Sequence, residues 1–271
     1  MAPRRENMSN ESFSLPKRLR KTQEQVAYPE GGSKTSLILN RLVDEVVAPL
    51  DESLATYQRL LDGSGGKLSQ EQRKAIELLA GSAATTARRL RDYIDLLRLE
   101  GGDLALRPRS LNLDEIIQQV ARVQKPAAKA KGLGLVVEPS VRALPQVLAD
   151  PTRLAQALSD LVANAIKFTE RGQVTISTEL YDRSVAIHVV DTGVGIPGTQ
   201  LPHLFEDFFQ ADGESGKELR GCGLGLTLSR RLIIRMGGDL WATSTVGAGS
   251  KFSFTVPRLP EVATQSRLGT A

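Results

Sequence analysis

The chain has 271 residues, enough for one or two domains, and its 41% hydrophobic and 24% charged residues are ordinary for a soluble globular protein. No segment approaches the roughly 18–20 consecutive apolar residues of a membrane span, and the N-terminus lacks the apolar core of a signal peptide. The single cysteine, Cys222, excludes a disulfide framework within one chain and fits a reducing compartment. We therefore expect a cytoplasmic protein without a membrane span.

The N-terminal segment, residues 1–33, shows no apolar periodicity and ends in a Pro-Glu-Gly-Gly-Ser run that disfavours regular structure. It is more basic than the rest of the chain, and the full 271 residues together have a net charge of +4. Basic arms of this kind sometimes contact nucleic acid or anionic membranes. We interpret this one as a solvated, disordered tail, and we expect no nucleic-acid partner.

Heptad spacing predicts two long helices between residues 34 and 101. The predicted seams comprise Leu39, Val43, Val46, Leu50, Ser53, Tyr57 and Leu60 in the first helix, and Ile76, Ala80, Ala83, Ala87, Leu90, Ile94 and Leu97 in the second. Ser69 is the expected N-cap of the second helix, and Gln72 completes a capping box. Because one hairpin cannot bury both seams, we expect two hairpins to pair as a four-helix bundle, which predicts a homodimer.

The first helix also carries two features of its own. Its register places Asp44 one residue past the seam, on the solvated side. Pro49 lies inside the helix and should kink it, because proline lacks the amide hydrogen and crowds the preceding turn.

After a linker at 102–110, the pattern becomes mixed α and β over residues 111–258, followed by a C-terminal tail at 259–271. We predict helices at 112–130, from Asp150-Pro151 to Lys167, and at 223–236. Strands are predicted near 133–137, 146–149, 173–180, 185–190, 239–244 and 251–256. The predicted class is α+β with two domains: a helical hairpin, followed by an α/β sandwich.

Two glycine-rich segments resemble nucleotide-binding motifs only superficially. Residues 193–198 match a dinucleotide fingerprint, but that motif opens a helix, and Pro197 and Pro202 argue against one. Residues 63–67 resemble a phosphate-binding loop, but the glycine spacing is wrong and Leu68 follows the lysine. We interpret this second segment as the hairpin turn.

A set of motifs in fixed order is far more specific. The motifs run from Asn164 to Thr169, Asp191 to Pro197, Leu204 to Gln210, Gly221 to Leu226 and Val246 to Phe252. In this order and spacing they closely resemble the catalytic ATP-binding domain of histidine kinases, a group shared with gyrase, Hsp90 and MutL. With the hairpin included, the resemblance covers roughly residues 34–257.

The resemblance implies a site that binds ATP and Mg²⁺. Asp191 matches the family's residue for the exocyclic amine of adenine, and Gly193 and Gly195 leave room for the base. Asn164 matches the Mg²⁺ ligand, and Lys167, one turn later, would neutralise phosphates. The remaining candidates line the phosphates: Arg220, Gly221, Gly223, Leu224 and Gly225. Asp160 stands where the family often has asparagine or glutamate, and we expect it to help hold Mg²⁺.

The phosphoacceptor helix departs from the family pattern. That pattern is histidine, glutamate, two variable positions, threonine or asparagine, and then Pro-Leu. Here Glu45 and the Pro-Leu pair match, but Asp44 replaces the histidine that attacks ATP. Ala48 replaces the polar residue that positions water in the phosphatase reaction, and Val47 replaces a common arginine.

Three hypotheses remain open from the sequence. The first is an ATP-binding pseudokinase that regulates by docking a response regulator or a partner histidine kinase. The second is a working kinase that uses Asp44 as acceptor or phosphorylates a partner chain, with Glu45 and Lys167 retained from the catalytic set. The third is a serine kinase of the anti-sigma type.

Overall fold

The computed structural model describes residues 34–140, 142–210 and 223–259. The predicted N-terminal tail lies outside these residues, as do Cys222 and almost all of the predicted C-terminal tail. The hairpin comprises α1 (Lys34–Leu42), a π-helical turn (Val43–Val47), α2 (Ala48–Leu61) and α3 (Gln70–Glu100). Ser69 and Gln72 form the predicted capping box, with backbone-to-side-chain hydrogen bonds of 2.9 and 3.1 Å.

The π-helical turn changes the register of the first helix. The amide of Ala48 donates to the carbonyl of Val43, five residues earlier, so the turn holds one more residue than an α-helical turn. Within the single chain, Val47 rather than Val46 makes the intrachain contact: Val46 is 40% exposed, whereas Val47 is 3% exposed and packs with Leu39 and Ile94. The turn directly precedes Pro49, which has no amide hydrogen for the normal ladder.

The second domain contains the remaining elements. The helices are α4 (Leu113–Ala130), α5 (Pro151–Phe168) and α6 (Gly225–Arg235), with a short 3₁₀ turn at Leu201–His203. The strands are β1 (Arg109–Leu111), β2 (Gly134–Val137), β3 (Val147–Ala149), β4 (Gln173–Leu180), β5 (Ser184–Asp191), β6 (Leu240–Thr245) and β7 (Gly249–Pro257). All the predicted helices and strands of this domain are present, and β1, which lies partly in the predicted linker, is additional.

The main sheet has five strands in the order β2-β4-β5-β7-β6, and β1 pairs with β3 in a separate antiparallel ribbon. Only the β2–β4 pair is parallel. Helices α4, α5 and α6 pack on the sheet, and the main core lies between the two layers. Its fully buried members include Leu154, Leu158, Leu161, Ile176, Ile187 and Phe254. The α/β sandwich is therefore confirmed.

Helix α3 makes the contacts that join the hairpin to the second domain, and both belong to one compact unit. Asp95 binds the Arg153 guanidinium through both carboxylate oxygens, one at 3.0 Å from Nη2. Leu99 packs in a small cluster with Leu104, Leu228 and Leu232. This contact explains why Leu97 is 45% exposed although the heptad places it in the seam: at the end of α3 the buried side faces the second domain.

Within the described residues, no helix combines the length and the apolar composition required to cross a bilayer.

Candidate functional site

Asp191 ends strand β5 and is the buried polar centre of the site. Only 5% of the residue is exposed, and its Oδ1 accepts hydrogen bonds from the amides of Gly193 at 2.8 Å and Ser250 at 3.3 Å. Burial raises the pKa of this carboxyl, and the two backbone hydrogen bonds oppose that rise. Both bonds use Oδ1, so they hold the carboxylate in place and leave Oδ2 as an acceptor for a ligand donor.

The glycines after Asp191 are required because the backbone of neighbouring segments approaches them too closely for a side chain. A Cβ at Gly193 would lie 2.4 Å from the carbonyl oxygen of Phe168. Gly195 has a φ of +71°, and a Cβ there would lie 2.1 Å from the carbonyl oxygen of Thr245. Neither position accepts a side chain without moving a neighbouring strand or helix end.

Serine side chains anchor this loop to the β6–β7 hairpin. Ser244 Oγ accepts from the Ile196 amide at 2.8 Å and donates to the carbonyl of Gly249 at 2.8 Å. Ser250 supplies the second amide to Asp191. Sequence reasoning did not identify these two serines. The available signal was their position, with Ser250 inside the Val246-to-Phe252 motif and Ser244 two residues before it.

The C-terminal half of α5 carries Asn164 and Lys167 on one side of the helix. Both residues are half-buried, and the Lys167 ammonium lies 4.9 Å from the centroid of the Phe168 ring. The helix starts at an Asp150 N-cap, which accepts from the amides of Thr152 and Arg153. This fixed start, together with the buried apolar face of α5, determines where Asn164 and Lys167 are presented.

The glycine-rich segment before α6 is described only in part. Gly223 has a φ of +73°, and a Cβ there would lie 2.6 Å from the backbone of Phe208. Leu224 is fully buried at the N-cap position, and α6 begins at Gly225 without a capping side chain among the described residues. The first amides of α6 are therefore available to an anion. Arg220 and Gly221 lie outside the described residues.

Asp160 lies one turn before Asn164 on α5 but also faces the hairpin. Its carboxylate is 3.7 Å from the Arg88 guanidinium of α3 and 3.5 Å from Ser229 Oγ of α6. Burial, followed by the nearby Asp92, raises its pKa to about 7, against the opposing effects of Arg88 and Ser229. These contacts with α3 and α6 give Asp160 an environment that the sequence did not reveal.

Asp44 and Glu45 lie on the π-helical turn of the hairpin, and both are exposed. The structure therefore keeps the predicted phosphoacceptor position open to solvent. It assembles Asp191, Gly193, Gly195, Asn164, Lys167 and Gly225 around the ends of β5 and α5 and the start of α6, in a separate domain.

Comparison with known proteins identifies this second domain. Residues 149–260 match the model of the histidine kinase-, DNA gyrase B- and HSP90-like ATPase family. The aerobic respiration control sensor protein ArcB of Escherichia coli (strain K12) is 35% identical over 233 residues, covering 85% of this chain and 29% of the relative. The autoinducer 2 sensor kinase/phosphatase LuxQ of Vibrio cholerae is 33% identical over 223 residues, covering 81% and 26%. The chain thus spans less than a third of these relatives.

Solved structures agree with this assignment. Full-length ShkA in complex with AMPPNP superposes with a TM-score of 0.67 at 30% identity, covering 82% of this chain and 46% of that protein. The Acinetobacter baumannii histidine kinase AdeS, at 20% identity and a TM-score of 0.56, supports the fold alone. The motifs, the fold and the relatives together show that residues 149–260 form an ATPase domain of the histidine kinase-, DNA gyrase B- and HSP90-like family, within a core similar to that of histidine kinases.

Proposed function

We propose that this chain binds Mg·ATP in the Asp191 site and acts in two-component signalling as a pseudokinase, which regulates by binding rather than by phosphorylating itself. The observation that carries the proposal is the contrast between its two parts. The ATPase domain retains the buried Asp191, the tight glycines and the open start of α6. The hairpin presents Asp44, a carboxylate, where the family's histidine attacks the γ-phosphate.

The geometry of Asp191 supports recognition of adenine. A carboxylate whose Oδ1 is held by two backbone amides presents Oδ2 in a defined direction to an amine donor. Guanine has a carbonyl oxygen at the corresponding position and would repel that oxygen. The full match of residues 149–260 to an ATPase family, and the AMPPNP complex of ShkA, support the same ligand class.

The residues for Mg²⁺ fit a hard cation. Asn164 offers an amide oxygen and Asp160, one turn earlier on α5, a carboxylate; Mg²⁺ completes such a pair with phosphate oxygens and water. Lys167 and the amides at the start of α6 would neutralise the phosphates. When bound, the cation screens the charge of the phosphates, and the protein's part is to orient them.

The hairpin lacks the groups for either reaction of the family. Asp44 is a carboxylate rather than an imidazole, and Ala48 has no polar atom to position a water molecule. Val47, where the family often has arginine, is buried against Leu39 and Ile94. The position of that arginine is thus used for packing in this chain.

The hairpin surface supports the proposal that the chain works by association. Leu37, Ile38 and Leu78 are large apolar side chains that are 65%, 60% and 76% exposed. Exposed apolar side chains along paired helices favour a partner helix surface. We propose that a second hairpin covers them in a homodimer, and that a response regulator or partner histidine kinase docks on the resulting bundle.

Calorimetric titration with Mg·ATP tests the nucleotide step. We expect the wild type to bind ATP in preference to GTP and Asp191→Asn to lose this binding, because the amide nitrogen of asparagine faces the amine of adenine as a second donor. Asp182→Asn, the same change on the exposed turn between β4 and β5, is the matched control and should bind as wild type. Equal binding by Asp191→Asn and wild type would contradict the assigned site.

A second candidate function follows from the exposure of Asp44. A solvent-exposed carboxylate on an irregular turn is accessible to an incoming ATPase domain, so Asp44 is positioned to accept a phosphoryl group as an acyl phosphate. Incubation with ATP radiolabelled at the γ-phosphate separates the two functions. A base-labile label lost in Asp44→Asn supports this alternative, and an unlabelled chain supports the pseudokinase.

A further inference from the structure

Lys131, which directly follows α4, caps the end of the nucleotide-site helix. Its Nζ donates to the carbonyl oxygens of Ile166 at 2.7 Å, Lys167 at 2.8 Å and Thr169 at 3.0 Å. An ammonium group has three donors, and these bonds use all of them. They satisfy carbonyls that the end of α5 leaves without helical partners, and the positive charge lies at the negative end of the helix dipole.

The capped segment forms one wall of the site. The carbonyl of Phe168, between those that bind Lys131, accepts from the amide of Val194 at 3.4 Å, and Gly193 packs directly on the same carbonyl. Asn164 precedes the first two of these carbonyls, those of Ile166 and Lys167, by less than one turn. The path of residues 166–169 therefore sets the distance between the α5 side chains and the loop that follows Asp191.

We infer that Lys131 is a positioning residue of the nucleotide site, acting through the end of α5. This inference rests on the proposed nucleotide binding. Lys131 supplies a charged link from the α4–β2 turn to the end of α5. Its loss should loosen both the helix terminus and the contact of Phe168 with the loop that follows Asp191. A residue that only stabilised the helix end would lower the melting temperature without changing that contact or the affinity for nucleotide.

The test compares Lys131→Met, Lys131→Arg and Lys129→Met in the full chain. Methionine keeps the length of the side chain but removes its charge and its hydrogen-bond donors, whereas arginine keeps the charge and the donors. Lys129, an exposed lysine in the last turn of α4, is the control position. We expect Lys131→Met to raise the Kd for Mg·ATP about tenfold and to speed hydrogen exchange of the Val194 amide without nucleotide. Lys131→Arg should restore both values to within about threefold of wild type, and Lys129→Met should change neither. If Lys131→Met does not fold, Lys131→Gln replaces it, because glutamine removes the charge but keeps a hydrogen-bond donor.

Unchanged affinity and exchange in Lys131→Met would overturn the inference. A lower melting temperature with wild-type affinity and Val194 exchange would overturn it as well, because it would show a purely structural cap. Failure of the wild type to bind Mg·ATP would refute the proposed function. The hydrogen-exchange rate of the Val194 amide would still show whether Lys131 holds residues 166–169 in position.

Discussion

Replacing Asp160 by asparagine should remove a pH dependence that this carboxyl gives to the stability of the nucleotide-free protein. The side chain is 12% exposed, and burial and Asp92 raise its pKa from 3.8 to about 7 in spite of Arg88 and Ser229. The folded state therefore binds more protons than the unfolded state between these two values. The free energy of unfolding should fall as pH rises through this window and level off above it.

The magnitude follows from the shift. Roughly three pKa units, at about 1.36 kcal/mol each, give an upper limit of about 4 kcal/mol for the loss between pH 4 and pH 8. Asp92 adds a change of the same sign, because burial raises its pKa to about 6; Arg88 and Arg91 oppose that rise, and Asp95 adds to it. Asparagine cannot ionise and still accepts the hydrogen bond from Ser229.

Urea denaturation with EDTA at about pH 4.5 and about pH 8.5 measures the effect. We expect Asp160→Asn to be more stable than wild type at the higher pH, by up to about 4 kcal/mol, and not at the lower pH. Glu77→Gln removes an exposed ion pair with Arg73 and should change stability little at either pH. A variant that is less stable than wild type at high pH, with an unchanged pH slope, would refute this reasoning.

Two further changes test the structure of the site and of the contact between domains. Gly195→Ala should abolish ATP binding in calorimetry while the far-ultraviolet circular dichroism stays near wild type, because its Cβ displaces the carbonyl of Thr245; wild-type affinity would contradict the assigned backbone. Arg153→Met should lower the free energy of unfolding by about 3 kcal/mol because it leaves the carboxylate of Asp95 buried and unpaired, and adding Asp95→Leu should recover most of that loss. Additive losses in the double variant would contradict a direct pair.

Much of the second domain was predictable from local signals. Periodicity and capping rules identify features that depend on only a few neighbouring residues. These include the alternating strands, the helix start at Asp150-Pro151 and the ordered glycine motifs. The Ser69 capping box is of the same kind. The candidate side chains Asn164, Lys167 and Asp191 followed from the resemblance, since motif order and spacing carry more information than any single residue.

Other features depend on contacts between segments that are distant in the sequence, and sequence patterns do not identify such contacts. Lys131 looks like any lysine at a helix end, and only the fold brings it to the carbonyls of α5. Asp160 resembled a simple metal ligand until α3 placed Arg88 beside it. Heptad counting assumes an unbroken α-helical ladder, so it could not show that the π-helical turn buries Val47 rather than Val46 within the chain.

The proposed function requires an intact ATP site and the loss of the acceptor histidine at position 44. Labelling with ATP radiolabelled at the γ-phosphate, with wild type and Asp44→His in parallel and nucleotide binding measured on both, tests it most directly. We expect that both proteins bind Mg·ATP, that wild type stays unlabelled, and that Asp44→His gains an acid-labile label. Stable labelling of the wild-type chain, or absence of nucleotide binding, would contradict it.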